Sequence, residues 1–104
     1  MVISSSAMLS GCSLLRIFNA GNTLAIRNYN YGIDDYNNDK YQEAIEHFNS
    51  SLQFDSTSRD AADTYRDRGD SYYMLEDMRS ACRDWEKAAV LGNKDRADLY
   101  NEEC

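Results

Sequence analysis

At 104 residues the chain is long enough for one domain, and a hydrophobic fraction of 42% can build a modest core. Against 18 acidic residues there are 11 basic ones, a formal net charge of −7 that excludes a phosphate-neutralising nucleic-acid binder and describes a solvated acidic surface. There is no proline, no stretch alternates apolar and polar over strand length, and apolar residues recur at helical spacing, so the chain reads as all-α.

Met1–Ser13 carries no charged side chain and no fold signal. Within it, Leu9-Ser10-Gly11-Cys12 resembles the lipobox of bacterial lipoproteins: a branched apolar residue and two small residues before a cysteine. The resemblance implies cleavage before Cys12 and acylation of its thiol, with Ser13 favouring the outer membrane over the inner. Residues 1–11 are then a signal segment and 12–23 a tether. Only eleven residues precede Cys12 and none is basic, so this reading needs a basic start further upstream. Otherwise the match is chance and Cys12 is a free thiol.

Gly21-Asn22-Thr23 reads as a break and N-cap before a first helix over about Leu24–Asn37. That helix carries an apolar stripe of Ile26, Tyr29, Ile33 and Tyr36. A second helix is expected over Asp39–Phe54 with Ala44, Ile45, Phe48 and Leu52 inward. Asp55-Ser56-Thr57-Ser58 forms a turn and N-cap cluster. The third helix, Arg59–Leu75, is dense in alternating charge, which predicts a solvated face. Glu76-Asp77 opens a fourth helix with acids that complement its dipole, and Gly92 is expected to close it. A last helix over Lys94–Glu103 puts Ala97, Tyr100 and Cys104 on one face.

The second and fourth helices are versions of one pattern. Gly32 and Gly69, Tyr36 and Tyr73, Tyr41 and Met78, Ala44 and Ala81, Phe48 and Trp85, Ser51 and Ala88 are each 37 residues apart. Tyr72 stands three residues after Gly69, and Ala81, Trp85 and Ala88 share a helical face on which two small residues flank one large ring. A small residue, an aromatic, Ala, an aromatic and a second small residue at these offsets resemble the tetratricopeptide repeat. The resemblance covers about residues 27–93, with repeat 1 at 27–58, repeat 2 at 62–93 and a capping helix at 94–103. It implies two antiparallel helix hairpins plus the capping helix, a short α-solenoid occupying 24–104.

This sequence departs from the family in three ways. The family period is about 34 residues, so three are extra here, placed between Asp55 and Ala62 as almost one more helical turn. The usual repeat-ending proline is absent. Asn28, Asp35 and Arg68 stand where first helices of the family are normally apolar.

In the family register Tyr29, Ile33 and Tyr36, with Arg66, Asp70 and Tyr73, line a concave groove that takes an extended peptide or a helix of a partner protein. The same stripe could instead be core, covered by a partner segment, a second copy of the chain or the chain's own Leu14–Phe18. Nothing in the sequence resembles a nucleophile with its base, a metal-ligand cluster or a phosphate loop, so neither an enzyme nor a bound cofactor is expected. His47, the single histidine, reads as a surface residue. Cys82 lies about 15 Å of helix before Gly92 and Cys104 about 16 Å after Asn93, so antiparallel packing brings the two thiols level. A disulfide there suits the periplasm; the alternative is two reduced thiols. The expectation is a lipid-tethered interaction adaptor facing the periplasm, with no nucleic-acid partner. A thiol–disulfide protein using Cys82 and Cys104 and a self-associating envelope protein are the alternatives.

Overall fold

The computed structural model describes residues 22–104, which form helices and no strand. The signal segment, Cys12 and the Leu14–Phe18 cover all lie outside the described residues. The first helix, α1, spans 22–37, followed by α2 (Tyr41–Phe54), α3 (Arg59–Met74), α4 (Met78–Val90) and α5 (Ala97–Glu103). Helix α1 pairs with α2, and α3 with α4, as two antiparallel hairpins. The short α5 lies beside α4.

The 37-residue repeat holds at the level of single hydrogen bonds. In the first turn Asn38 N–H donates to Asp34, Asp39 N–H to Tyr36 and Lys40 N–H to Asp35. In the second, Leu75 N–H donates to Ser71, Glu76 N–H to Tyr73 and Asp77 N–H to Tyr72. Asp39 and Glu76 both take positive φ, at 61° and 62°, a conformation that reverses the chain sharply at some steric cost to a residue with a side chain. The hairpins are one design built twice.

What holds each hairpin closed is a ring seated on a glycine. A Cβ on Gly32 would stand 2.6 Å from Phe48 Cδ1 and 2.9 Å from its Cζ, and one on Gly69 would stand 2.7 Å from Trp85 Cδ1. Phe48 is 0% exposed and Trp85 2%. Burying each ring contributes on the order of 2–3 kcal/mol, and Ala44, Ala81, Ala88 and Ser51 let the partner helices come close around them. Ser51 also donates to the carbonyl of Ala25 at 2.7 Å, tying the end of α2 to α1. Gly32, Ala44, Phe48, Gly69, Ala81, Trp85 and Ala88 are buried, and Tyr72 is half-buried at their edge.

The helix ends predicted at 55–58, at 76–77 and at Gly92 form, whereas Asn22 and Thr23, expected as a break and N-cap, are helical. Ser58 Oγ accepts from Asp60 N and Ala61 N at the start of α3, and Asp55 accepts from Ser58, closing the turn. Asp77 caps α4 by accepting from Ser80 N, and hydrogen bonding from the Ser80 side chain, then from its backbone N–H, holds the carboxyl below the usual range. Gly92, at φ 112°, ends α4. Residues Arg59–Ala61 are helical, as the extra turn requires. Several boundaries differ from expectation: α1 starts at 22 rather than Leu24, and α3 ends at Met74 rather than Leu75. Helix α2 starts at Tyr41 because Asp39 takes the left-handed turn conformation, and α5 starts at Ala97 rather than Lys94 because 93–96 is an irregular link.

Candidate functional site

The solvated face expected for α3 is instead partly buried. Asp60, Asp63, Asp67 and Asp70 recur at helical spacing and make an acidic stripe along one side of the helix. Asp67 and Asp70 are 8% and 9% exposed, and Asp84 on α4 is 3% exposed. Helix α3 lies between the hairpin partners and has few large apolar side chains, so its charged residues go inward. They do so only with partners. Tyr29 Oη donates to Asp67 Oδ2 at 2.5 Å, and Arg66 donates to Asp67 through Nε and Nη2 and to Asp95 through Nη1 at 2.7 Å. Asp70 accepts from Trp85 Nε1 at 3.0 Å and from Arg96 Nε and Nη2 at 2.9 and 2.7 Å. On the other side, Arg68 grips Asp84 with two bonds of 2.8 and 2.7 Å, reaches Asn49, and lies over the rings of Tyr65 and Tyr72. No buried side-chain polar atom among the described residues lacks a partner.

Burial pushes the carboxyls of Asp67 and Asp84 above the usual range, and their hydrogen bonds and arginines only partly oppose it. Burial, then the bond to Asp67, pushes the Tyr29 phenol well above its ordinary value. Burial and the charge of Asp70 raise Tyr36.

The six groove residues therefore fall into two groups. Tyr29, Ile33 and Tyr36 are half-buried along α1, open to solvent on one side, and Tyr36 lies within the field of Asp70 and Arg96. Tyr73, also half-buried, packs its ring 5.5 Å from that of Trp85. Arg66 and Asp70 are not available as expected. Asp70 is buried under Trp85 and Arg96, and Arg66 is held by two carboxylates. An aspartate that takes three donors and an arginine that spans two acids are internal fasteners. Ile26, the first residue of the stripe, is 46% exposed.

Asp67, Asp84 and Arg96 were not singled out in the sequence. The stripe spacing on α3 signals the first, whereas nothing local pairs Arg96 with Asp70, 26 residues away.

Beside Tyr29 lies a cavity of about 270 Å³ between the start of α1, the end of α2 and the start of α3. Ala25, Ile26, Tyr29 and Ala61 line its apolar part; Asp55, Asp60 and Asp63 also border it. A second cavity, of about 280 Å³, runs between α4 and α5 and is lined in part by Trp85, Ala89, Ala97 and Tyr100. Helix α5 has no buried residue. It is held by the Cys82–Cys104 disulfide, with Cα atoms 5.9 Å apart, and by Tyr100 donating to Glu86 at 2.8 Å. On the outer side of the first hairpin His47 pairs with Asp35 at 2.6 Å beside the ring of Tyr31, a half-exposed surface arrangement. Among the described residues no group of histidine, cysteine and acid side chains is placed to hold a metal ion, and no helix is long and apolar enough to cross a membrane. No protein-family model, curated protein or solved structure matches the chain.

Proposed function

We propose that the protein is a tetratricopeptide-type interaction adaptor that takes a peptide or helix of a partner protein along α1 and α3. The observation that carries this is the face formed by Tyr29, Ile33, Tyr36 and Tyr73. These four large side chains lie half-open on one side of the domain, above the buried rings of Phe48 and Trp85. Tyrosines in such a setting offer apolar area and a hydrogen-bonding tip at low entropic cost. The duplicated hairpin geometry supports the repeat reading, since stacked helix pairs present an extended face by construction.

The adaptor is placed in a bacterial envelope, lipid-tethered through Cys12 to the outer membrane and facing the periplasm. The Cys82–Cys104 bond supports an oxidising compartment. The thiol–disulfide alternative ranks lower: Cys82 lies mid-helix and the pair lacks the close spacing of redox-active cysteines. Self-association through the same face is the other alternative.

A photo-crosslinking residue at position 36, expressed in the native organism, should give a discrete adduct that Tyr73→Ala weakens. The same residue at exposed Glu43 should give none. Equal adducts from both positions, or none from position 36, would remove the groove. An adduct of twice the chain mass would identify self-association, and Cys12→Ala that fractionates with membranes like the native protein would remove the tether.

A further inference from the structure

The acidic stripe on α3 divides into two halves. At the α4 end, Asp67 and Asp70 are consumed internally by Tyr29, Arg66, Trp85 and Arg96. At the opposite end, Asp60 and Asp63 stand one turn apart and border the cavity beside Tyr29. Among the described residues neither forms an ion pair; Asp63 accepts one hydrogen bond, from Asn93 Nδ2, and no lysine, arginine or histidine lines the cavity. Asp55 adds a third carboxylate, already engaged with Ser58. The two arginines of the groove face, Arg66 and Arg96, are both spent on carboxylates. Arg59 lines the adjoining cavity with both aspartates but does not line this one, so an anionic segment arriving here would meet carboxylates first. A lysine or arginine meets the opposite situation, because its aliphatic stem suits Ala25, Tyr29 and Ala61 while its head reaches the acids.

We propose that the groove takes a basic, apolar-flanked segment of a partner protein, with a lysine or arginine seated in this cavity and its cation at Asp60 and Asp63. The inference rests on the adaptor reading and adds the chemistry of the partner.

Two fluorescent peptides alternating leucine and tyrosine with either lysine or glutamate test it by anisotropy against the disulfide-bonded protein. The lysine peptide should bind and the glutamate peptide should not. Asp60→Asn with Asp63→Asn should weaken the lysine peptide about tenfold with the circular dichroism spectrum retained. Asp98→Asn on exposed α5 should leave binding unchanged, which separates the site from general attraction to an acidic protein. Equal weakening by Asp98→Asn, or equal binding of the two peptides, would overturn the proposal. So would a lysine peptide that binds only after Arg16→Gln, since the chain's own Leu14–Phe18 would then be the occupant. A mass that doubles with concentration while the lysine peptide fails to bind would assign the cavity to a second copy and overturn it too. If neither peptide binds while the position-36 adduct persists, the basic partner is lost and the adaptor reading stands.

Discussion

Replacing Gly32 by alanine tests the packing on which both hairpins depend. In an ordinary helix interior the change is favourable by about 1 kcal/mol, because alanine loses less backbone entropy. Here the new methyl would stand 2.6 Å from Phe48 Cδ1 and 2.9 Å from Cζ, and nearer still to Cε1. Phe48 is 0% exposed, so its ring has no empty space to enter, and the helices must separate by several tenths of an ångström. Overpacking of this kind costs about 1–3 kcal/mol, and contact with three ring atoms puts this site at the upper end. The net loss is then about 2 kcal/mol, or roughly 8–16 °C in melting temperature for a domain of this size. Thermal and urea unfolding followed by circular dichroism at 222 nm would read it. Phe48→Leu in the same chain should recover part of the loss, since the smaller side chain vacates the contested volume. A Gly32→Ala protein that melts at or above the native temperature would refute the ring-on-glycine seat and the pairing of α1 with α2 derived from it.

Two further outcomes follow from the polar framework and the crosslink. The Cys82–Cys104 bond encloses 21 residues, a separation of 22, and loop-closure entropy gives it about 3 kcal/mol; alkylation without reductant should leave both thiols unmodified, and reduction should raise amide exchange first in 94–104, where α5 has no buried residue. The Tyr29 phenol titrates above its unfolded value of 10.0, so the folded state holds that proton more tightly, and the associated stability is full below pH 10 and declines as pH rises above it. Urea midpoints should therefore fall above pH 10, and Tyr29→Phe should flatten that fall while lowering the midpoint at neutral pH; an unchanged alkaline slope would remove the Tyr29–Asp67 bond.

The hairpins were legible because their determinants are local or repeat at a fixed offset. Glycine, alanine and ring positions recur 37 residues apart, and the same offset relates the turn hydrogen bonds. The Cys82–Cys104 pairing was legible for a similar reason: rise per residue and one glycine turn fix the relative height of two helices. The interior of the groove was not. On sequence alone the charges of α3 read as a solvated or groove-lining face, because an unpaired charge cannot be buried and the partners that cover Asp67 and Asp70 from other helices are remote in sequence. Asp67 is paired across 38 residues to Tyr29, and Asp70 across 26 to Arg96. The link at 93–96 that delivers Arg96 and Asp95 carries no periodic signal, so the fasteners of α3 could not be placed before the fold was known.

That polar interior bears on how the domain is stabilised and on what its surface offers. Helix α3 packs against both neighbours yet buries only Ala61, Ala62 and Gly69 as apolar residues. Buried ion pairs recover little more than the cost of dehydrating them, so Asp67–Arg66, Asp70–Arg96 and Asp84–Arg68 define register and orientation more than they add stability. The favourable free energy rests on Phe48, Trp85 and their small neighbours, with the disulfide adding to a core of modest size. Internal pairing also decides which charges remain for a partner. The basic groups closest to the tyrosine face are used up in holding α3, so the face shows its unused acids at the end beside Tyr29. Removing Asp60 and Asp63 should therefore alter recognition with little effect on folding, whereas removing Asp67 or Asp70 should do the reverse, because the same stripe serves recognition at its exposed end and fastening at its buried one.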